Sequence, residues 1–156
     1  MRKLSVQACE GNTLLHWKKI RHPLRVMFNF ILIYAARYSP SLRLKNSIYR
    51  ICGAKIGSRA TFGLGAVIDV FFPELVDVGD ESIIGYNTVI LAHEFLQGEY
   101  RTGKVQIGSS VMVGANCTIL PGVKIGDKAS VSAMSLVNRD IPAGQKWGGV
   151  PVKRIR

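Results

Sequence analysis

Residues 107–137 read IGSSVMVGANCTILPGVKIGDKASVSAMSLV, and an aliphatic residue returns in this stretch at every sixth position. These markers are Ile107, Val113, Ile119, Ile125, Val131 and Val137. The same spacing occurs upstream in two more blocks, with the markers Ile56, Phe62 and Ile68, and then Val78, Ile84 and Ile90. Twelve markers in three phased blocks indicate an internal repeat of six residues.

A second pattern supports this register. Glycine follows seven of the markers, and the position four residues after a marker carries a small or β-branched side chain in most repeats. A period of six fits neither an α-helix nor a hairpin ladder, but it fits short strands that turn a corner every six residues. Three such sides close one coil of about eighteen residues. The twelve repeats therefore predict a parallel β-helix of about four coils.

The repeats resemble a known family. Their [LIV]-G-x-x-[STAV]-x form is similar to that of the hexapeptide-repeat acyltransferases. The stretch IGYNTVILAHEF, the block VMVGANCTILPGVKIGDKASVSAMSLVNRDIP and the ending GGVPVKRIR resemble the maltose, galactoside and nodulation-type O-acetyltransferases. The resemblance covers about residues 50–156 and implies a left-handed coil. It also implies acetyl-CoA as acyl donor and a homotrimer with active sites in the clefts between subunits.

The repeat is interrupted twice, after Ile68 and after Ile90, and insertions in a solenoid emerge as loops. The second insertion, loop 91–106, opens with His93, which we interpret as the general base. A neutral imidazole can take the proton from a hydroxyl group as its oxygen attacks a thioester. The alternative is an exposed loop histidine, and the resemblance at this residue favours the catalytic role.

Two further positions are candidates for contact with the acceptor. Asn87 matches an asparagine that contacts the bound substrates in the resembling enzymes, although it also suits an ordinary turn. Glu94, like Glu99, is a candidate for orienting His93 or the acceptor, with a solvated loop acid as the alternative. His93 is the one histidine of the repeat region, whereas catalytic zinc sites generally use three protein ligands. We therefore expect no metal.

The resemblance also implies the coenzyme A site. Ala115 and Ala133 match positions whose backbone N–H groups bind the thioester end and the pantetheine arm, although any solenoid has small residues at such corners. Basic residues that match those near the 3′-phosphate ribose are Arg139, Lys153 and Arg156. For each of them a solvated tail remains the alternative. Cys117 occupies the small interior position of its repeat, so we expect it to pack rather than to carry an acyl group.

Charge divides the chain at about residue 50. Residues 1–50 hold ten Lys and Arg against one acid, while residues 51–156 hold eleven against nine. We therefore distinguish a basic, partly helical segment, 1–50, from a repeat domain, 51–156. Helices are expected at about 23–37, with Pro23 in the first turn, and near 41–50. The segment either packs over the end of the β-helix or lies on an anionic membrane; nothing in it predicts nucleic-acid binding.

Composition narrows the setting. Three widely spaced cysteines without a CxxC pair argue against a disulfide framework, and the strongest apolar run, 26–36, is short for a membrane span. We expect a cytoplasmic acetyltransferase that transfers to a hydroxyl of a carbohydrate-like acceptor. Transfer to an amino sugar or antibiotic amine remains an alternative, as does a non-catalytic trimeric scaffold.

Overall fold

The computed structural model describes residues 1–155 and consists of an N-terminal segment followed by a parallel β-helix. The segment contains strand β1 (Ser5–Asn12), a 3-10 turn (Thr13–His16) and helices α1 (Trp17–Ile20), α2 (Pro23–Tyr38) and α3 (Leu42–Ile51). The two predicted helices are thus present almost at their predicted bounds. Strand β1 was not anticipated. Within residues 1–155, no helix has both the length and the apolar character that crossing a membrane requires.

The β-helix has four complete coils, each with three short strands. Coil 1 contains β2 (Lys55–Ile56), β3 (Thr61–Phe62) and β4 (Val67–Ile68). After a 3-10 turn (Pro73–Leu75), coil 2 contains β5 (Val76–Val78), β6 (Ile83–Ile84) and β7 (Val89–Ile90). A hairpin, β8 (His93–Phe95) and β9 (Gln97–Thr102), follows. Coil 3 contains β10 (Val105–Ile107), β11 (Met112–Val113) and β12 (Thr118–Ile119). Coil 4 contains β13 (Lys124–Ile125), β14 (Ser130–Val131) and β15 (Leu136–Val137), and β16 (Lys146–Gly148) and β17 (Lys153–Arg154) end the described chain.

Strands of successive coils pair in parallel and form three faces of a prism. The first face contains β2, β5, β10 and β13; the second contains β3, β6, β11 and β14, extended by β16 and β17; the third contains β4, β7, β12 and β15. We call residues 63–66, 85–88, 114–117 and 132–135 the second corner, which joins the second face to the third. Residues 69–75, 91–104, 120–123 and 138–140 form the third corner, which leads into the next coil. All twelve markers are buried, as the period predicts.

Two backbone features shape the corners. A Cβ added to Gly79, which follows a marker, would lie 2.6 Å from the carbonyl carbon of Gly108 in the next coil, so close stacking of the coils requires glycine there. The left-handed backbone conformation occurs two residues later, for example at Asn87 with φ 54° and Asn116 with φ 54°. Asparagine tolerates this conformation better than most residues. The six-residue period alone did not show that close stacking and the left-handed conformation fall on two different residues of each corner.

Helix α3 covers the open end of coil 1, where no further coil accepts or donates hydrogen bonds. Side-chain donors of the helix reach carbonyl oxygens of coil 1, in the pairs Lys45 to Gly63 at 2.8 Å, Asn46 to Ala60 at 2.6 Å, Tyr49 to Ala66 at 2.8 Å and Arg50 to Ile56 at 2.9 Å. Buried carbonyl groups without a partner destabilise a fold, and an uncovered sheet edge invites association. The N-terminal segment therefore packs on the β-helix and completes it.

Candidate active site

His93 lies at the third corner, at the start of the hairpin that interrupts the repeat after coil 2. Its side chain is 15% exposed, and its ring packs among Phe71, Phe72 and Phe95, with centroid distances of 4.9, 5.8 and 4.6 Å. Apolar walls of this kind fix the ring and exclude water from its faces. The imidazole is consequently held in one orientation while part of it stays accessible.

The partner of the imidazole is Asp69, whose side chain is completely buried. Its Oδ1 accepts hydrogen bonds from the backbone N–H groups of Phe71 and Phe72, both at 2.8 Å. Its Oδ2 accepts one from the N–H of Ala92 at 2.7 Å and lies 2.6 Å from Nδ1 of His93. Because the carboxylate acts as acceptor in all of these contacts, we assign the proton to Nδ1. That tautomer leaves a lone pair on Nε2.

Asp69 was not identified from the sequence, although a signal was present. It directly follows the marker Ile68, at the first interruption of the repeat, just as the loop with His93 follows the marker Ile90. The two markers are paired neighbours on the third face, so both insertions leave the prism at the same corner. An acid at the start of one insertion is thereby brought next to a histidine in the other.

The N-terminal segment supports the loop that carries Asp69. Trp17 packs edge-on against Phe71, with ring centroids 5.8 Å apart, and Arg21 Nε donates to the carbonyl of Phe71 at 2.8 Å. From α2, the side-chain amide of Asn29 donates to the carbonyl of Val70 at 2.9 Å. The wall of the histidine pocket is therefore fixed by residues that lie outside the repeat.

Comparison with known proteins places this chain in a family. The model of the bacterial transferase hexapeptide, with six repeats, matches residues 104–139, and that of the hexapeptide repeat of succinyl-transferase matches residues 53–92. YvoF of Bacillus subtilis (strain 168), which is named as a candidate acetyltransferase, is 50% identical over 99% of this chain and 91% of its own length. The chain belongs to the hexapeptide-repeat acetyltransferase family.

More distant members of the family agree in fold. Galactoside O-acetyltransferase of Escherichia coli (strain K12) is 28% identical over 99% of this chain and 84% of its own length. The crystal structure of the acetyltransferase VCA0836 from Vibrio cholerae, in complex with acetyl coenzyme A, has a TM-score of 0.67 at 19% identity and covers 85% of this chain and 86% of that one. The predicted left-handed parallel β-helix is confirmed, and the protein is an acyltransferase of this family.

In the present chain, Asn87 lies at the second corner, away from the corner of His93. Its Oδ1 accepts a hydrogen bond from Arg37 at 3.0 Å, and its Nδ2 donates to Oδ1 of Asn116 in the next coil, also at 3.0 Å. The side chain thus joins α2 to Asn116 in coil 3. The two predicted site residues are not brought together within one chain.

Glu94 is held by arginines. Its Oε1 accepts a hydrogen bond from Arg2 at 2.6 Å, and its Oε2 lies 3.9 Å from Arg101 on the neighbouring strand β9. The imidazole donates its Nδ1–H to Asp69 instead. The residue that orients His93 is therefore Asp69 of the other insertion, not Glu94 or Glu99.

Ala115 and Ala133 stack at the second corner in successive coils. A Cβ on Gly114 would lie 2.7 Å from the Cα of Ala133, which shows how closely the backbones approach. Among residues 1–155, no group accepts a hydrogen bond from the backbone N–H of either alanine. The corner consequently presents two backbone N–H donors in successive coils, each on a residue with a small side chain.

The predicted basic residues do not form one cluster within the chain. Arg139 is exposed at the third corner in coil 4, whereas Lys153 is exposed on β17, at the edge of the second face. Arg156 lies outside the described residues. Two backbone bonds, from Val152 to Leu136 at 3.0 Å and from Ile155 to Lys146 at 2.8 Å, anchor the C-terminal strand.

Cys117 is 1% exposed and fills the interior position that the repeat predicts. Its Sγ lies 3.2 Å from the carbonyl oxygen of Ser132, and burial raises the pKa of the thiol. A buried thiol with a raised pKa is a poor nucleophile. Within residues 1–155, no three His, Cys, Asp or Glu side chains are grouped as a metal site would require.

Proposed function

We propose that the protein transfers the acetyl group of acetyl-CoA to a hydroxyl group of a carbohydrate-like acceptor, with His93 as the general base. The observation that carries this proposal is the contact between His93 and the buried Asp69. A carboxylate that binds Nδ1–H fixes the tautomer and stabilises the imidazolium that forms when Nε2 accepts a proton. The acetyltransferase names of the relatives, and the galactoside acceptor of one of them, agree with this chemistry.

The transfer proceeds in one ternary complex. Nε2 of His93 accepts the hydroxyl proton as the oxygen forms a bond to the thioester carbonyl carbon. The tetrahedral intermediate then collapses with cleavage of the C–S bond, and the imidazolium returns the proton to the sulfur of coenzyme A. No acyl-enzyme is needed, and Cys117 is too deeply buried to provide one.

The placement of the residues favours a site between subunits. His93 and Asp69 lie at the third corner, while Asn87, Ala115 and Ala133 lie at the second. A cyclic trimer repeats one heterologous contact three times, so the third corner of one subunit can face the second corner of the next. Each of three identical clefts would then contain both halves of the site.

Coenzyme A fits the second half of this cleft. The free N–H groups of Ala115 and Ala133 can bind the carbonyl groups of the pantetheine arm, and an N–H aimed at the thioester oxygen stabilises the oxyanion. Lys153 and Arg139 supply cations for the phosphates, and in a trimer they can come from different subunits. Arg156 is proposed for the same role on the resemblance alone.

An acceptor screen tests the reaction. Purified protein is incubated with acetyl-CoA and a panel of sugars and amino sugars, and the released coenzyme A thiol is measured. We expect release that depends on a hydroxyl acceptor and that falls by about 10²–10⁴-fold in His93→Ala. Transfer to amines alone would assign the protein to the N-acetyltransferases. Near-normal turnover of His93→Ala would contradict the mechanism.

Subunit mixing tests the position of the site. His93→Ala removes the base at one corner, and Ala133→Trp blocks the other, so each variant alone is expected to be inactive. When the two are co-expressed in equal amounts and assemble at random, about one quarter of all clefts regain both intact halves. Recovery of about that activity supports the inter-subunit site. A monomer in sedimentation, or mixed protein as inactive as its parents, would contradict it.

A further inference from the structure

Helix α2 is apolar on two opposite faces. One face packs on the end of the β-helix through Val26, Asn29, Ile33 and Ala36, all of which are buried. The opposite side carries large apolar side chains that are between 39% and 74% exposed: Leu24, Met27, Phe28, Ile31, Tyr34 and Tyr38. Their spacing of three or four residues aligns them along one stripe. We call these six residues the outer face of α2.

A stripe of this size is unusual on a surface that stays in water. Helices that are apolar all round are normally buried, and contiguous exposed apolar patches mark sites of interaction. Within residues 1–155, the buried residues of α2 all lie on its inner side, which holds the loop of Asp69 through Asn29. The outer face is therefore available to something outside the chain.

Positive charge lies beside the outer face. Residues 11–50 contain eight Lys and Arg and no Asp or Glu. Two of these cations lie against the stripe itself: the guanidinium of Arg25 is 5.7 Å from the ring centroid of Phe28, and that of Arg37 is 5.8 Å from Tyr34. Lys18 and Lys19, just before the helix, are exposed. An occupant must accordingly supply both apolar surface and negative charge.

We propose that the outer face of α2 docks on an anionic lipid bilayer. Apolar side chains enter the boundary between headgroups and acyl chains, tyrosine rings suit the headgroup level, and the flanking cations bind anionic headgroups. A second copy of the chain fits less well as the occupant. Two outer faces in contact would bring the cations of one copy close to those of the other, and the faces provide no carboxylate to pair with them. The proposal does not depend on the acetyl transfer.

Sedimentation with vesicles tests the docking on the full-length protein. Vesicles of phosphatidylcholine alone are compared with vesicles that contain about one third phosphatidylglycerol, at low and high salt. We expect at least tenfold tighter binding to the anionic vesicles, weakened by salt because the headgroup contacts are ionic. Equal binding to both compositions, or none to either, would overturn the proposal.

Matched variants separate the outer face from the general charge of the protein. Phe28→Ser and Ile31→Ser together remove apolar area from exposed positions and should weaken vesicle binding at least tenfold without loss of the fold. Val6→Ser is the control, because Val6 is 54% exposed on β1 and Ile31 is 58% exposed on α2. Undiminished vesicle binding by the double variant would refute docking through this face. A change in its oligomeric state without any vesicle binding by the wild type would assign the face to a second copy.

Discussion

Replacement of Asp69 by Asn changes one group at the centre of the candidate site and leaves its shape intact. An asparagine amide presents one acceptor and one donor, whereas both carboxylate oxygens of Asp69 act as acceptors. If the amide nitrogen faces His93, the imidazole must turn its unprotonated Nδ1 toward it. Nε2 then carries the proton and can act as a base only after the ring changes tautomer, which costs free energy.

The expected loss follows from the contact that disappears. The Nδ1 to Oδ2 distance is 2.6 Å and the carboxylate is fully buried. Hydrogen bonds to a charged group contribute about 1.5–3 kcal/mol, which corresponds to a loss of about 10- to 150-fold in turnover. Because the carboxylate acts on the imidazolium formed during transfer, kcat should fall while KM for acetyl-CoA stays nearly constant.

Thiol release measured in four proteins distinguishes a positioning role from a purely structural one. These are the wild type, Asp69→Asn, His93→Ala and the double variant, each checked by urea unfolding, since the Asp69→Asn change also leaves a backbone N–H without an acceptor. If Asp69 acts through the imidazole, its replacement has little further effect once His93 is absent. Turnover of Asp69→Asn within about twofold of the wild type would refute the reasoning, as would an equal loss in both backgrounds.

Three more outcomes are expected. Lys153→Gln should weaken coenzyme A binding more at low salt than at high salt, because the lost contact is ionic. Lys55→Gln, at another exposed lysine, is the control. Equal coenzyme A affinities of the two variants would remove Lys153 from the site. In native protein Cys9 should react with a thiol reagent while Cys117 reacts only after unfolding, because burial raises the pKa of Cys117; fast labelling of both would contradict this. Burial lowers the pKa of Lys45 below 10.5, so the unfolded chain binds more protons between the two values. The free energy of unfolding of the wild type should therefore rise relative to that of Lys45→Met as the pH approaches 10.5. Urea titrations of both proteins at pH 7 and 10 measure this difference. A difference that is the same at both pH values would contradict the prediction.

The fold was predictable because the six-residue period is a local pattern that the buried markers must satisfy in every coil. The position of His93 was predictable for the same reason, since a break in the period reveals a loop and the loop opens with the histidine, whereas its role as general base stays a prediction. Asp69 required one further step, the register of Ile68 beside Ile90, which the period supplies but which single residues do not show. Strand β1 was not predictable in this way. It pairs with β9, about ninety residues away in the sequence, and neither strand belongs to the six-residue repeat.

Truncation of the C-terminus is a poor test of coenzyme A binding. Removal of the residues after Gly149 deletes Lys153 and Arg154, but it also deletes Val152, which is 1% exposed in the core and bonds to the backbone of Leu136. Loss of affinity would then combine a missing charge with a damaged coil. Single neutral substitutions on β17 avoid this.

The boundary near residue 50 separates two patterns in the sequence but does not separate two independent functions. Side chains of α3 complete the hydrogen bonds of coil 1, Trp17 packs on the wall of the histidine pocket, and Arg37 donates to Asn87 at the second corner. The segment thus contacts the coil end and both corners from which we assemble the site. Since repeats within a solenoid differ little in their backbone, the specificity for an acceptor must come from what is added to them. In this chain the N-terminal segment and the two insertions are those additions, and the acceptor is therefore expected to be selected where they meet beside His93.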